Sequence, residues 1–403
     1  SPYQSFSTFA GNPYFISLED LIEEGVLTEK ECEKLETESK EGTIDYKKLY
    51  EDRYPILRKA YERSNISENP DYQQFLAENE WWLSDYALFM AVKDRFEGRP
   101  WTEWAEDIRL RYGYAMDYYR KELYFDMEFQ KYLQFTFYKQ WNKLKAYVNS
   151  LGIRMIGDIP IYVAMDSADA WANPSLFQLD EKNVPYAVAG CPPDGFSATG
   201  QLWGNPLYRW EYHRQTGYEW WLQRLSHCFK LYDAVRIDHF RGFDQYYSIP
   251  YGAETAITGH WEQGPGIDLF NRVRQVLGEK EVIAEDLGYV TDSVRKLVHD
   301  SRFLGMKVLE FAFDDSENSD YLPHKYQENC IVYTGTHDNE TLVGWYENMN
   351  RRNKSFAREY MGCRHTPKKE MHWEFIRLAM ASPAKLAVIP VQDYLGLGAE
   401  ARR

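Results

Sequence analysis

Four short apolar runs beyond residue 150 of this chain end in, or lead straight into, an acidic residue. They are Gly157-Asp158-Ile159-Pro160, Val235-Arg236-Ile237-Asp238-His239, Ile283-Ala284-Glu285-Asp286 and Thr334-Gly335-Thr336-His337-Asp338-Asn339. Carboxylates raised on the ends of different parallel strands meet at one mouth, where active sites are built. The plain alternative is helix N-capping, because Asp commonly opens the helix that follows a strand. Capping accounts well for one such residue. It accounts poorly for Asp238, Glu285 and Asp338 together, each embedded in an apolar run. Arg236 and Asp238 are two apart, so on a strand they share a face. A guanidinium beside a carboxylate favours the ionised form, which suits a nucleophile or charge stabiliser. A surface salt bridge is the bland reading of Arg236. Glu285 follows Ile283 and Ala284, apolar walls that raise a carboxyl pKa and hold its proton near neutral pH. Two carboxyls pushed apart in this way are a nucleophile and an acid for glycosidic bonds.

The elements that must position these residues divide the chain near residue 150. From about Ser17 to Ser150 the pattern is helical almost throughout. Phe129, Leu133, Phe137, Trp141, Leu144 and Val148 recur at spacings of four and three, one stripe of an amphipathic helix. Gly152 is its expected stop, and Pro70, Gly98 and Pro100 break the upstream stretch into pieces. The charged segment Glu23–Glu41 reads better as a solvated face on short helices than as a partner surface. Beyond residue 150, six β-type runs appear: Arg154–Val163, Ala234–Asp238, Val282–Glu285, Met306–Phe313, Ile331–Thr336 and Leu386–Val391. Helical patterns at Tyr218–Leu231, Leu269–Leu277 and Ser293–Arg302 separate several of them. Strand, helix, strand is the order of an α/β fold with a parallel sheet, and continuous apolar runs suit strands covered on both faces. Six strands either form an open doubly wound sheet or belong to a (β/α)8 barrel whose first two strands precede Ser1. Acids at the strand ends favour the barrel.

Composition narrows the partners. The 403 residues carry 47 Lys+Arg against 62 Asp+Glu, a formal net charge of −15. That field repels phosphate backbones, so neither nucleic acid nor an anionic membrane is an expected partner. The longest apolar stretches, such as Leu386–Val391, fall far short of the roughly 18 residues that span a bilayer. Five scattered cysteines without a CxxC read as idle thiols of a reducing cytosol, and the start of the chain has no signal-peptide pattern. Aromatic residues make up 16 %, mostly core by expectation. No metal or organic cofactor is expected. The nine histidines show no metal-ligand spacing. Gly396-Leu-Gly-Ala-Glu-Ala401 fits a dinucleotide loop, but no chain remains for the acidic partner about 20 residues on. The sequons at Asn65, Asn339 and Asn353 matter only in a secreted protein.

Seven stretches carry a resemblance to a known family: Ser1–Ser7 (SPYQSFS), Gly157–Val163 (GDIPIYV), Pro192–Ser197 (PPDGFS), Gly200–Tyr208 (GQLWGNPLY), Val235–Gly242 (VRIDHFRG), Ala284–Gly288 (AEDLG) and Gly335–Asn339 (GTHDN). Taken in this order they resemble the 4-α-glucanotransferases (amylomaltases, or disproportionating enzymes, of glycoside hydrolase family 77), relatives of the α-amylases. The resemblance implies roles at matching positions. Asp238 would be the nucleophile, Glu285 the general acid/base, and Asp338 the third carboxylate, gripping sugar hydroxyls. Arg236 and His337 would hold the nucleophile and the reacting sugar, with Asp158 on the same rim. Tyr3, Gln201 and Trp203 would contact glucose units, although a Trp in a Gly-rich loop is equally a packing anchor.

The resemblance further implies a (β/α)8 TIM barrel with a large helical insertion. Residues 1–16 would form a substrate-contacting loop leading out of barrel strand two, 17–150 an inserted helical subdomain, and 151–403 barrel strands three to eight. Its first two strands would then precede Ser1, and a glucan-binding loop with the closing helix would follow Arg403. Two departures stand out. The amylase pattern Asp-x-x-x-Asn-His is absent, since Asp158 runs into Ile159-Pro160-Ile161-Tyr162-Val163. Many relatives carry a Tyr where Gly195 stands. The implied activity is transfer of α-1,4-glucan segments between malto-oligosaccharides, starch-derived or glycogen-derived chains, with retention. A retaining α-glucan hydrolase and a catalytically silent glucan-binding protein are the alternatives.

Overall fold

The computed structural model of the chain describes residues 3–35, 44–194, 197–288, 290–313 and 319–402. Ser1 and Pro2 of the first motif, residues 36–41 of the charged segment, and Gly195 lie outside the described residues. The strands are β1 (Ile156–Pro160), β2 (Ala187–Cys191), β3 (Gln201–Pro206), β4 (Ala234–Asp238), β5 (Gln245–Pro250), β6 (His260–Gln263), β7 (Val282–Ala284), β8 (Leu304–Val308), β9 (Cys330–Tyr333) and β10 (Leu386–Val388). The fold is α/β and forms two units, Ser1–Asp233 with Tyr246–Glu262, and Ala234–Gln245 with Gln263–Arg403. None of the described helices is long and apolar enough to cross a membrane.

In the first unit, the main helices are Tyr46–Arg63, Pro70–Arg95, Gly113–Glu122, Tyr124–Ser150 and Glu219–Leu231. Pro70 starts a helix instead of merely breaking one. It occupies the first turn, where its missing N–H costs nothing, and Asn69 caps the N–H groups of Asp71 and Tyr72. The long helix ends at Ser150 as the sequence predicts, with Gly152 at φ +74° and its N–H on the Asn149 carbonyl at 2.9 Å. The expected apolar stripe is core only along its first half. Phe129 and Leu133 are buried among Ile16, Leu21, Leu57 and Ala60, whereas Leu144 is 48 % exposed. The changeover comes at Trp141, whose indole N–H donates to the Leu231 carbonyl at 3.1 Å.

A four-stranded sheet in order β3-β2-β5-β6 completes this unit, and the sequence gives no warning of it. Pairing of β2 with β3 and with β5 is antiparallel. These strands are short and do not alternate cleanly. β2 also carries Gly190, where a Cβ would sit 2.1 Å from the Gln201 carbonyl oxygen. Downstream of β1, the buried Arg224 binds the carbonyls of Pro160 and Ile161 and lies over the Trp221 ring at 4.8 Å. The Ile-Pro-Ile-Tyr segment is thus fixed through its backbone.

The second unit contains the parallel strands β4, β7, β8, β9 and β10, each neighbour to the next. Helices Ile267–Leu277 and Asp292–Ser301 return the chain from β4 to β7 and from β7 to β8, as expected for parallel connections. Ile283, Leu304, Met306 and Ile331 form the core on the sheet. Several predicted strands are longer than the observed ones. The clearest case is Met306–Phe313, where β8 ends at Val308 and a 3₁₀ segment, Leu309–Phe313, follows. Leu309, Ala312 and Phe313 enter one buried cluster with Phe375 and Ile376, and their spacing of three and four needs a helical turn. In the same way the last run stops at Val388, and Val391 opens a short helix, Val391–Tyr394.

Candidate active site

The register of β4 on β7 places the first two acids. Val235 pairs with Val282, Arg236 with Ile283 and Ile237 with Ala284. Continued by one residue, that register sets Asp238 beside Glu285 at the C-terminal ends of adjacent parallel strands, where strand axes run about 4.8 Å apart. The backbone tightens this corner, with Glu285 N–H on the Ile237 carbonyl at 3.1 Å and Phe240 N–H on the Glu285 carbonyl at 3.0 Å.

Arg236, 6 % exposed, donates from Nη2 to Asp238 Oδ1 at 2.9 Å, the pairing that their shared strand face predicts. Its Nε–H points at Met306 Sδ on β8, two strands along the sheet, 3.3 Å away. The guanidinium therefore joins the sheet core to the candidate nucleophile.

Glu285 accepts two backbone N–H groups, from His239 to Oε2 at 2.7 Å and from Leu287 to Oε1 at 2.8 Å. The first exists because His239 adopts the left-handed conformation, φ +53°, which ends β4 sharply. Burial and then the charge of Asp238 push the Glu285 carboxyl up to about 7, against the lowering effect of both N–H groups and Arg236. Burial first, and then Arg241, lower His239 to about 3, so its ring stays neutral. The next acid, Asp286, faces away and accepts the Met306 N–H at 2.7 Å.

His337 and Asp338 lie on the loop after β9. His337 Nε2 is 3.4 Å from Asp338 Oδ2, and both side chains are exposed, 47 % and 71 %. Asn339 fastens the turn by accepting from both the N–H and the hydroxyl of Thr336, at 2.9 and 2.7 Å. Arg402 reaches back to donate to the Asp338 carbonyl at 2.9 Å.

The remaining expected residues belong to the first unit. Gln201 and Trp203 come together on β3, with the indole N–H on Gln201 Oε1 at 3.0 Å. Asp158 is exposed on β1, and Tyr3 is partly buried near the start of the chain. Sequence reasoning missed Glu310, Asp393 and Arg402, which surround the Asp338 loop. A signal for Glu310 was present, because it is a lone acid inside the apolar run Met306–Phe313.

Comparison with known proteins identifies the lineage. The family model described as 4-alpha-glucanotransferase matches residues 1–403. The chain belongs to this family. A 4-alpha-glucanotransferase of Clostridium butyricum is 44 % identical over 404 residues, covering 100 % of this chain and 82 % of its own. One from Streptococcus pneumoniae is 46 % identical over 407 residues, covering 100 % and 80 %. The solved amylomaltase from Streptococcus agalactiae in complex with acarbose superposes with a TM-score of 0.95 at 40 % identity, over 100 % of this chain and 81 % of that one. The resemblance carried by the seven motifs is thus met at the level of family.

Proposed function

We propose that this chain transfers α-1,4-glucan segments from one malto-oligosaccharide to another through a covalent glycosyl-enzyme. One observation carries the mechanism: two carboxyls on adjoining strand ends in opposite electrostatic settings. Asp238 is paired with a buried guanidinium, and Glu285 is raised to about 7. Asp238 attacks the anomeric carbon while Glu285 gives its proton to the departing glycosidic oxygen. Glu285 then takes a proton from the acceptor 4-hydroxyl as that oxygen displaces Asp238. Two inversions give net retention, for which retaining sites hold the carboxyls about 5–5.5 Å apart. Asp338 grips hydroxyls of the distorted sugar, with His337 beside it and Arg236 orienting the nucleophile. Asp158, Tyr3, Gln201 and Trp203 are assigned sugar contacts on the family motifs.

The finer architecture follows the same reading. Residues 151–403 supply strands three to eight of a (β/α)8 barrel, 17–150 the helical insertion and 1–16 a substrate-contacting loop. The substrates are uncharged glucans, which suits a chain of net charge −15 and makes nucleic acid and membranes poor partners. Five free thiols suit a reducing cytoplasm.

Incubation with maltotriose tests the reading. Glucose together with chains longer than three units, with no net growth in reducing ends, is the expected outcome. Rising reducing ends with only glucose and maltose would instead make the chain a hydrolase. Binding without any product would leave a glucan-binding protein.

A further inference from the structure

Beneath the loop that carries His337 and Asp338 lies a carboxyl that the mechanism does not use. Glu310 follows β8, is 6 % exposed, and its N–H continues the sheet ladder to the Thr334 carbonyl at 3.2 Å. Its Oε1 has no hydrogen-bond partner among the described residues. That oxygen abuts the loop. A Cβ built on Gly335 would fall 2.9 Å from Glu310 Oε1 and 3.3 Å from Asn339 Cβ, so a side chain at residue 335 would force the Glu310 carboxyl away from the loop. Asp393 brackets the same loop, accepting from Thr334 Oγ1 at 2.7 Å and from the Leu342 N–H at 2.8 Å.

We propose that Glu310 is a positioning residue of the glucan-transfer site, setting the loop of His337 and Asp338 from below through its contact with Gly335. This rests on the transfer reading, in which Asp338 acts on the distorted sugar. The charges around it decide the form in which it serves. Asp393 comes from the segment after β10, and Glu340 from the loop itself. Arg402 comes from the last turn, and His372, on helix Met371–Met380, bears on Asp393. Arg402 is already engaged, by Glu340 at 3.6 Å and by the Asp338 carbonyl. Burial, with Asp393 and Glu340 adding to it, pushes Glu310 up to about 9. The side chain therefore rests neutral against Gly335, and ionising it would set a third negative charge against the loop.

The test compares Glu310→Ala, Glu310→Gln and Gly335→Ala in disproportionation of maltotriose and in thermal melting. Glu310→Ala should lower kcat by about tenfold or more while KM moves less than about threefold, because the contact serves the transition state. Glu310→Gln, which keeps the shape and the neutral form, should recover kcat to within about threefold of wild type near neutral pH. Its melting temperature should rise relative to wild type as pH increases from about 6 toward 9, since the variant has no proton to lose. Gly335→Ala should cost kcat in the presence of Glu310 and cost much less when combined with Glu310→Ala. Undiminished kcat in a folded Glu310→Ala protein would overturn the proposal. So would a Gln variant as impaired as the Ala variant, or a melting difference flat in pH. Should Glu310→Ala not fold, the Gln melting series and the single Gly335→Ala variant decide: a melting difference flat in pH, or undiminished kcat in Gly335→Ala, would overturn the proposal. Inert wild-type protein would count against the transfer reading itself, and the melting series, which needs no substrate, separates the two failures.

Discussion

The three candidate carboxylates are held in two different ways. Asp238 and Glu285 sit at the ends of paired strands, where sheet register, two backbone N–H groups and a buried arginine fix them. Asp338 stands on a loop, its side chain 71 % exposed against 28 % for Asp238, and its backbone is tied by the distant Arg402. The strand-end pair gains its electrostatics from burial, which raises the acid and strengthens the ion pair. The loop residue has little such help and depends on being put in place by neighbours. Groups whose chemistry must be preset are therefore on the sheet, and the group proposed to meet the sugar's hydroxyls is on a loop.

This contrast can be broken by substitutions of graded severity. Asp238→Asn should abolish turnover, by about 10,000-fold or more, while glucan affinity measured by calorimetry is retained. A comparable loss of affinity would assign the residue to binding.

Glu285→Gln comes next, lowering kcat by about 100-fold to 10,000-fold for donors with poor leaving groups. In wild type, kcat/KM should fall as pH rises past about 7, because only protonated Glu285 can give up its proton. The same shift has a sign for stability. The folded state holds this proton more tightly than the unfolded chain, so its stabilising effect is full below the ordinary Glu range and disappears as pH climbs through about 7. Glu285→Gln should accordingly melt higher than wild type above neutral pH and show no such advantage in mild acid. An unchanged alkaline limb would remove Glu285 from the acid role.

Asp338→Asn should cost about 100-fold in kcat, consistent with loss of one transition-state interaction. The mildest change is Arg402→Ala, which leaves every reacting group in place and loosens only the loop. One hydrogen bond corresponds to about 3-fold to 10-fold in kcat/KM. An Arg402→Ala defect as deep as that of Asp238→Asn would show that the loop is as decisive as the strand ends.

Much of the strand-end pair was legible in the sequence. Ala234–Asp238 is a strand with the predicted bounds, and Arg236 meets Asp238 because a two-residue spacing shares a face whatever the rest of the fold does. The apolar residues before Glu285 point to a raised carboxyl, which burial and the charge of Asp238 produce in the fold. The antiparallel sheet was not legible, since β2, β3, β5 and β6 lack a clean alternation and are stabilised by one another. The turn after β8 was read as strand because apolar runs of that length do not reveal their period.

Residue types and spacing, then, determined the α/β class, the family motifs and the identity of the acids that could react, because those depend on local periodicity and intrinsic chemistry. Tertiary structure alone decided that Asp238 is the lateral neighbour of Glu285, that the His239 N–H turns onto that carboxyl, and that Glu310, Asp393 and Arg402 surround the Asp338 loop. Each of those relations joins residues from different elements. Burial and partner charge, which set how each acid behaves, are properties of the folded neighbourhood and are written in no single segment.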